Sequence, residues 1–328
     1  MTPTQTTRRA LSAALCAAIL AGAAPLARAA DPVFPSGPIR FVVPASGGTV
    51  DMIARVVAPK LQQALGQPVV VETKAGASGN IAAAFVAKAP PDGHTVLIGF
   101  NPLAISAVMS QGLAYELKDL APITLAASSE QLLVVNAAVP VNTLAEFVAL
   151  SKKPGSRLNY ASIAPGSASH LTMELFKVRS GADVTHIPYK GAAPAISDLL
   201  GNQVQSGVFA AANVIGHVKT GRLKALAVTG NKRLQSLPQV PSMAEAGLPD
   251  FNATIWLGFL TASGTPKPVI RKLNEEIGRI LTSPDVRKSV ETAEFDVVAS
   301  TPEEFDNFIR REVDTWRRVV VQTGAKLD

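Results

Sequence analysis

The sequence predicts an α/β protein built from two units, each with its own sheet. Short apolar segments alternate with amphipathic ones over residues 39–99, and the same alternation recurs over residues 132–229. Strands that are apolar along their whole length and alternate with helices are typical of a parallel sheet covered by helices. The chain leaves the first unit near Leu125 and re-enters it near Phe251, which indicates two crossing segments.

In the first unit, each apolar run that predicts a strand precedes a turn. The predicted strands are residues 39–43, 69–72 and 95–99, and the predicted helices are residues 50–65 and 80–88. Gly66 ends the first helix, because glycine readily adopts the left-handed conformation that closes helices. Pro90 to Gly93 form a turn after the second helix.

The second unit repeats this order. Its predicted strands are residues 132–135, 158–161, 184–187, 203–209 and 225–229, and its predicted helices are residues 143–151, 167–179, 193–200 and 214–220, with Asn142 as an N-cap. Residues 237–249 are rich in proline and predict a loop with one short helix; a strand at 256–260 and helices at 266–281, 284–291 and 302–323 follow. We therefore predict a first domain of residues 30–127 plus 251–328 and a second domain of residues 128–250.

The first 29 residues are typical of a secretory signal peptide. Arg8 and Arg9 precede an apolar run over residues 10–24, and Ala27 and Ala29 provide the small residues of a cleavage site. Cys16 lies inside the apolar run rather than at its end, so lipidation is not expected. The alternatives are a retained anchor or a disordered leader. We expect export to the periplasm with cleavage near Ala29, and the sequence does not distinguish between the general and the twin-arginine export routes.

The composition of the remaining chain excludes several classes of function. Cleavage removes three arginines and lowers the formal net charge from +6 to +3, too little to indicate a nucleic-acid partner. Cys16 is the only cysteine, so no disulfide and no thiolate nucleophile is expected after cleavage. No phosphate-binding loop, dinucleotide fingerprint or serine nucleophile elbow is present. The sequence predicts no catalytic residue, no metal site and no cofactor. The four histidines are interpreted as structural or exposed: His94, His170, His186 and His217.

Two Gly/Ser-rich turns that open helices are the strongest candidate binding elements. The first spans residues 45–49 (ASGGT), and the second spans residues 163–170 (IAPGSASH). A helix N-terminus presents unpaired N–H groups and a partial positive charge, so it can hold an anion without lysine or arginine. The alternative is that both turns only cap their helices. A third turn at 76–80 is a weaker candidate, and Asp51 is expected to pair with Arg55 one turn later.

An ordered set of motifs resembles the Bug/TctC family, the extracytoplasmic receptors of tripartite tricarboxylate transporters. It includes PIRFVVP at 38–44, the glycine pair at 47–48, PPDGHT at 90–95, NYAS at 159–162 and HIPYKG at 186–191. The resemblance covers essentially the whole chain after the leader. It implies a type II periplasmic binding fold, in which two α/β domains close by hinge motion around a ligand cleft.

The resemblance also implies a site for a small carboxylate. Carried over, the ligand-binding residues are Ser46, Gly47, Gly48 and Thr49 in one domain and Ser162, Gly166, Ser167 and Ala168 in the other, with His170 supporting the turn. Tyr189 is a further candidate, the alternative being that it anchors its loop. Ser78, Phe100, Asn101 and Ala210 are candidates for lining the cleft. The implied partner is a membrane permease, and the receptor is expected to be a monomer.

Three departures from the family pattern bear on the ligand. Ala45 and Ser46 stand where two prolines are common, Gly99 precedes Phe100 where a polar residue is common, and three alanines follow Phe209 where an Asp is common. An Asp there could pair with a ligand ammonium, so we expect a carboxylate without an amine, either aromatic or a diacid. A periplasmic sensor and an enzyme of the same build are the alternative functions.

Overall fold

The first sheet combines strands from two distant stretches of the chain. The computed structural model describes residues 34–325, so the predicted signal peptide lies outside the described residues. Six strands form this sheet: β1 (Ile39–Val43), β2 (Val69–Thr73), β3 (Thr95–Phe100), β4 (Leu120–Ser129), β10 (Ile255–Ala262) and β11 (Asp296–Val297). Their order is β11-β4-β10-β3-β1-β2. β1 is parallel to β2 and β3, whereas β10 is antiparallel to β3 and β4.

The second sheet contains the five strands between the two crossing segments. These are β5 (Gln131–Asn136), β6 (Asn159–Ser162), β7 (Thr185–Pro188), β8 (Ser206–Ala210) and β9 (Leu223–Val228), in the order β7-β6-β8-β5-β9. β6 is parallel to β7 and β8, and β5 is antiparallel to β8 and β9. The prediction of two α/β sheets is confirmed, and so is the parallel pairing of the strands within residues 39–99, but β5 and β10 run antiparallel to their neighbours.

The reason lies in β5 and β10, the strands through which the chain enters each sheet from a crossing segment. All six residues of β5 are buried, and so are seven of the eight residues of β10. A strand that is buried on both faces has the same apolar pattern whichever way it runs, so periodicity does not indicate its direction.

Within residues 34–325, ten α-helices accompany the sheets. They are α1 (Gly48–Leu65), α2 (Asn80–Ala87), α3 (Pro102–Met109), α4 (Leu144–Ser151), α5 (Ala168–Ser180), α6 (Ala192–Leu200), α7 (Ala211–Lys219), α8 (Lys267–Leu281), α9 (Pro284–Thr292) and α10 (Pro302–Thr323). The predicted bounds of α10 are confirmed, and a capping box between Thr301 and Glu304 explains its start. None of the helices within residues 34–325 combines the length and the hydropathy that a membrane crossing requires.

Several local predictions are wrong for identifiable reasons. The segment 237–249 contains turns and no helix. Thr143, not Asn142, caps α4: its hydroxyl accepts from Glu146 N, while the Glu146 carboxylate accepts from the Asn142 and Thr143 amides. The sequence pattern predicts neither α3 nor β4. β4 contains Pro122 and many small residues, which have weak strand propensity.

Hydrogen bonds tie the two crossing segments together. Gln131 N donates to Thr229 Oγ1 at 3.0 Å, and Thr229 Oγ1 donates to Ala253 O at 2.8 Å. Gln131 Nε2 also donates to Ala253 O at 3.2 Å. Residues 37–325 belong to one compact unit. The division into two domains at the bounds given above therefore stays a prediction.

Candidate functional site

The first glycine turn leaves a helix N-terminus open on one side. α1 begins at Gly48, two residues earlier than predicted, with Gly47 as an N-cap that has no side-chain hydrogen bond. Both glycines have positive φ values, 73° and 68°. A Cβ added to either would meet no atom within 4 Å, so the backbone there is accessible to a ligand. Ser46 is exposed beside them, and Thr49 is half-buried.

Asp51 stabilises this turn from its inner side. The predicted pair with Arg55 is confirmed, with Arg55 Nε 2.8 Å from Asp51 Oδ2. The hydrogen bond from Arg55 lowers the pKa of Asp51. The positive charge of Arg55 and a hydrogen bond from the Gly47 backbone lower this pKa further, whereas burial of Asp51 acts in the opposite direction. Arg55 thus offsets a negative charge that would otherwise weaken anion binding at the N-terminus of α1.

The third turn packs against the end of the first sheet. Residues 76–79 all have positive φ values. A Cβ on Gly79 would lie 2.8 Å from the Phe100 ring and 3.0 Å from Pro44, so the backbone of this turn is in close contact with the ends of β1 and β3. Ser78 and Phe100 therefore lie at the same sheet edge as the first turn.

Gly99 serves the core rather than a ligand cleft. A Cβ at this position would lie 2.5 Å from Leu260 Cδ1 and 3.5 Å from Leu103 Cδ2. The missing side chain makes room for β10 and α3. The aromatic residues at this edge are Phe100 and Tyr115, which line one small cavity together with Ser78.

Asn101 connects the first sheet to a crossing segment. Its side chain is buried, donates to Thr254 O at 2.8 Å and accepts from Trp256 N at 3.0 Å. Its amide nitrogen and oxygen are therefore both engaged by the segment that enters β10.

The second turn uses its hydroxyl groups to hold its own shape. Ser167 caps α5 by accepting from His170 N, and its hydroxyl also donates to Ala164 O at 2.6 Å. Ser162 Oγ lies 3.2 Å from Ala164 O, and Ser169 Oγ accepts from Ile163 N. The backbone amides that open α5 at Ala168 and Ser169 have no acceptor within the helix. The groups that this turn offers to an anion are therefore chiefly main-chain amides.

A stack of three rings supports the second turn from below. The rings of His170 and His186 are 4.0 Å apart, and Tyr160 stacks on His186 at 4.9 Å. His170 Nδ1 accepts from Gly166 N at 2.9 Å, and His186 Nε2 is 2.6 Å from Ser162 Oγ. Burial lowers the pKa of His170 to about 4, with a further contribution from His186. His170 is therefore neutral near pH 7, with an unprotonated Nδ1 that holds the glycine amide.

Sequence reasoning missed the remainder of this cluster. Tyr160 donates to Glu174 Oε1, which also accepts from Lys177 at 2.8 Å. Tyr160 lies opposite His186 because β6 and β7 pair in parallel. That register is a tertiary feature and has no counterpart in the local sequence.

Tyr189 and Ala210 lie at the same edge of the second sheet. Tyr189 donates to Asp198 Oδ2 at 2.7 Å, and burial raises the pKa of its hydroxyl to about 12. Its main-chain N donates to Ser162 O. These bonds favour the alternative that Tyr189 anchors its loop. Ala210 ends β8, pairs with Gln131 and caps α7.

The carboxyl edges of both sheets flank the crossing segments. The end of β3 is bonded to residues 254 and 256 through Asn101, and the end of β8 pairs with Gln131. Gln131 also donates to Thr172 Oγ1 of α5 at 2.9 Å. Since neighbouring strands lie about 4.8 Å apart, β1 and β6 are each one strand from these ends. Within residues 34–325, no group of three His, Cys, Asp or Glu side chains could hold a metal ion.

The chain is similar to a family of receptors, to a relative from Bordetella and to solved structures. A family described as "Tripartite tricarboxylate transporter family receptor" matches residues 53–325. Protein BugT of Bordetella pertussis is 38% identical over 298 residues, covering 90% of this chain and 91% of BugT. An R. palustris protein solved with adipate is 31% identical with a TM-score of 0.76, covering 89% of this chain and 99% of that one. MatC from Rhodopseudomonas palustris with bound malate is 31% identical with a TM-score of 0.73, covering 88% and 100%.

Proposed function

Because the chain belongs to the tripartite tricarboxylate transporter receptor family, we propose that it captures a dicarboxylate in the periplasm and delivers it to a membrane permease. Members of this family are substrate-binding receptors and not enzymes, and solved relatives include the periplasmic binding protein BugD. The α/β fold of this chain is that of periplasmic binding proteins. The proposal includes export with cleavage near Ala29 and closure of residues 128–250 onto the remaining chain.

One observation carries the proposal. Two helices that begin at glycine-containing turns, α1 and α5, lie at the carboxyl edges of two sheets, and both edges flank the same crossing segments. Their unpaired amides and helix dipoles suit a carboxylate, and each sheet supplies one such N-terminus. In open α/β sheets, ligands bind outside the carboxyl ends of the strands.

Two further observations support a dicarboxylate without an amine. The relatives solved with adipate and malate hold ligands that have two carboxylates and no ammonium group. In this chain β8 ends at Ala210 and two more alanines follow, so the positions directly after β8 offer no carboxylate to an ammonium. Two separate helix N-termini match two carboxylates at the ends of one short molecule.

Isothermal titration of the protein lacking residues 1–29 tests this function. Adipate, malate, benzoate and aspartate are compared, and adipate or malate, the dicarboxylates without an amine, is expected to bind most tightly. Tightest binding by aspartate would contradict the ligand class, and no binding of any carboxylate would contradict the receptor function.

A proline substitution tests the role of the α5 amides. Ala168 is the first residue of α5 and the preceding Ser167 is extended, with φ −72° and ψ 163°, so proline fits and removes one N–H group. Losing a hydrogen bond to a carboxylate costs about 1.5–3 kcal/mol, so A168P is expected to weaken binding about tenfold or more. The matched control A168G keeps the amide and should bind nearly as well as the wild type. Equal affinity of A168P and A168G would overturn this assignment of the site.

A further inference from the structure

A groove outside the candidate site runs along α10. Its volume is about 510 Å³, and its walls are α10, the end of α5 and the segment around Asp250. The lining residues of α10 run from Phe308 to Gln322, which is about 21 Å of helix at 1.5 Å per residue. One wall therefore belongs to the helix whose N-terminus forms the second turn of the candidate site.

Three exposed arginines line this groove. Arg311 and Arg318 project from α10, and Arg179 projects from the last turn of α5. No carboxylate of residues 34–325 lies within ion-pairing distance of these three side chains. Arg179 donates instead to the Pro249 carbonyl.

A neighbouring face of α10, about 100° around the helix from the groove arginines, has a different arrangement. Arg310 lies 2.7 Å from Asp306, and Arg317 lies 2.9 Å from Asp314. The same helix thus neutralises its arginines on one face and leaves those on the groove face without a carboxylate partner.

The acidic groups in the groove do not neutralise these arginines. Glu312 is buried on the floor and accepts from the indole nitrogens of Trp256 and Trp316, each at 3.1 Å. Burial raises the pKa of Glu312 to about 7, against the opposing effects of the two indoles and of Arg311. Asp250 is the only exposed carboxylate in the lining, so positive charge remains in excess.

We propose that this groove is a docking site for an acidic, extended segment of a protein partner. An extended chain advances about 3.3 Å per residue, so about six residues fill 21 Å of groove. A linear acidic segment can contact all three arginines in turn. Arg179 and the two α10 arginines lie on opposite walls, so such a segment would bridge them.

Fluorescence anisotropy with a labelled, end-blocked hexaglutamate peptide tests the proposal. Wild-type protein lacking residues 1–29 is expected to bind it, with affinity falling at least several-fold when salt rises from about 0.02 to about 0.15 M. The double variant R311Q/R318Q should weaken binding at least tenfold. The matched control R310Q/R317Q removes the same charge from the same helix and should change affinity less than twofold.

Three results would overturn the proposal: no binding by the wild type, equal losses in both double variants, or complete displacement of the peptide by inorganic phosphate. Equal losses would indicate nonspecific charge attraction, and displacement by phosphate would indicate a small-anion site. Thermal melts of both variants check folding. Adipate titrations of the same proteins report on the cleft separately, so failure of the proposed receptor function and failure of the groove proposal are distinguishable.

Discussion

Because His170 is neutral in the folded protein, we expect the stability of the protein to fall at acidic pH. His170 is 5% exposed, and its Nδ1 accepts the Gly166 amide, so protonation removes an acceptor and adds a buried charge. His186, Glu174 and Lys177 also face this ring and modify its pKa, but burial is the main cause of the shift. The substitution H170N tests this expectation, because Asn Oδ1 can accept the Gly166 amide in place of His170 Nδ1 but does not titrate.

Proton linkage determines the direction and the size of the change in unfolding free energy with pH. The folded pKa of about 4 is below the unfolded value of 6.5, so the unfolded chain binds the proton more readily at intermediate pH. Stability from this group is therefore fully present above the unfolded pKa and is lost as pH falls towards 4. Between pH 7 and pH 5, the wild type should lose about 2 kcal/mol more of its free energy of unfolding than H170N does.

Urea unfolding of both proteins at several pH values measures this difference. The wild type must be compared with H170N because other buried groups also titrate in this range. Burial raises the pKa of Glu130 and of Glu312, each to about 7, so these two groups stabilise the protein less as pH rises. Their contributions are common to both proteins and cancel. The variant H217N, in the last turn of α7, controls for the loss of one imidazole elsewhere. Parallel pH curves for the wild type and H170N would show that His170 does not titrate with a lowered pKa in the folded protein.

Three further predictions concern the core, a helix cap and a buried carboxyl group. Phe147 is fully buried, and its ring is 6.2 Å from that of Phe176. F147A should therefore lower the free energy of unfolding, measured with denaturant, by about 3–5 kcal/mol, and a loss below about 1 kcal/mol would show that the site collapses around the cavity. T301A removes the cap of α10 and should lower stability by about 1 kcal/mol, whereas T301S should restore most of it; equal melting temperatures for T301A and the wild type would contradict this. The folded pKa of Glu312 lies above the usual 4.5, so its contribution is present below pH 4.5 and is lost as pH rises through 7. Relative to E312Q, the wild type should therefore lose about 2.5 kcal/mol of unfolding free energy between pH 5 and pH 8, and an unchanged difference across that range would count against this prediction.

Much of the secondary structure follows from local sequence. The apolar period of α10, with Thr301 before it and Gly324 after it, determines both of its ends. The two glycine turns are helix openings because paired glycines and serines favour that conformation over continuation of a strand. The pair between Asp51 and Arg55 depends only on helical spacing, and the prediction holds for that reason.

Other features required elements that are far apart in the chain. Tyr160 and His186 meet because β6 and β7 pair in one register, and a shift of one residue would turn their side chains to opposite faces. Asn101 is bonded to residues more than 150 positions away, so its role was not visible in its neighbours. The groove along α10 likewise needs α5 from the other sheet.

Local sequence accounts for most of the helices and strands and for the two glycine turns, because these depend on side-chain period and on backbone freedom within a few residues; α3 and β4 are the exceptions. The tertiary structure alone decided the direction of β5 and β10, the ring stack beneath the second turn and the unneutralised arginines along α10. These depend on which strands pair and in what register, and pairing is decided by packing among residues distant in the chain.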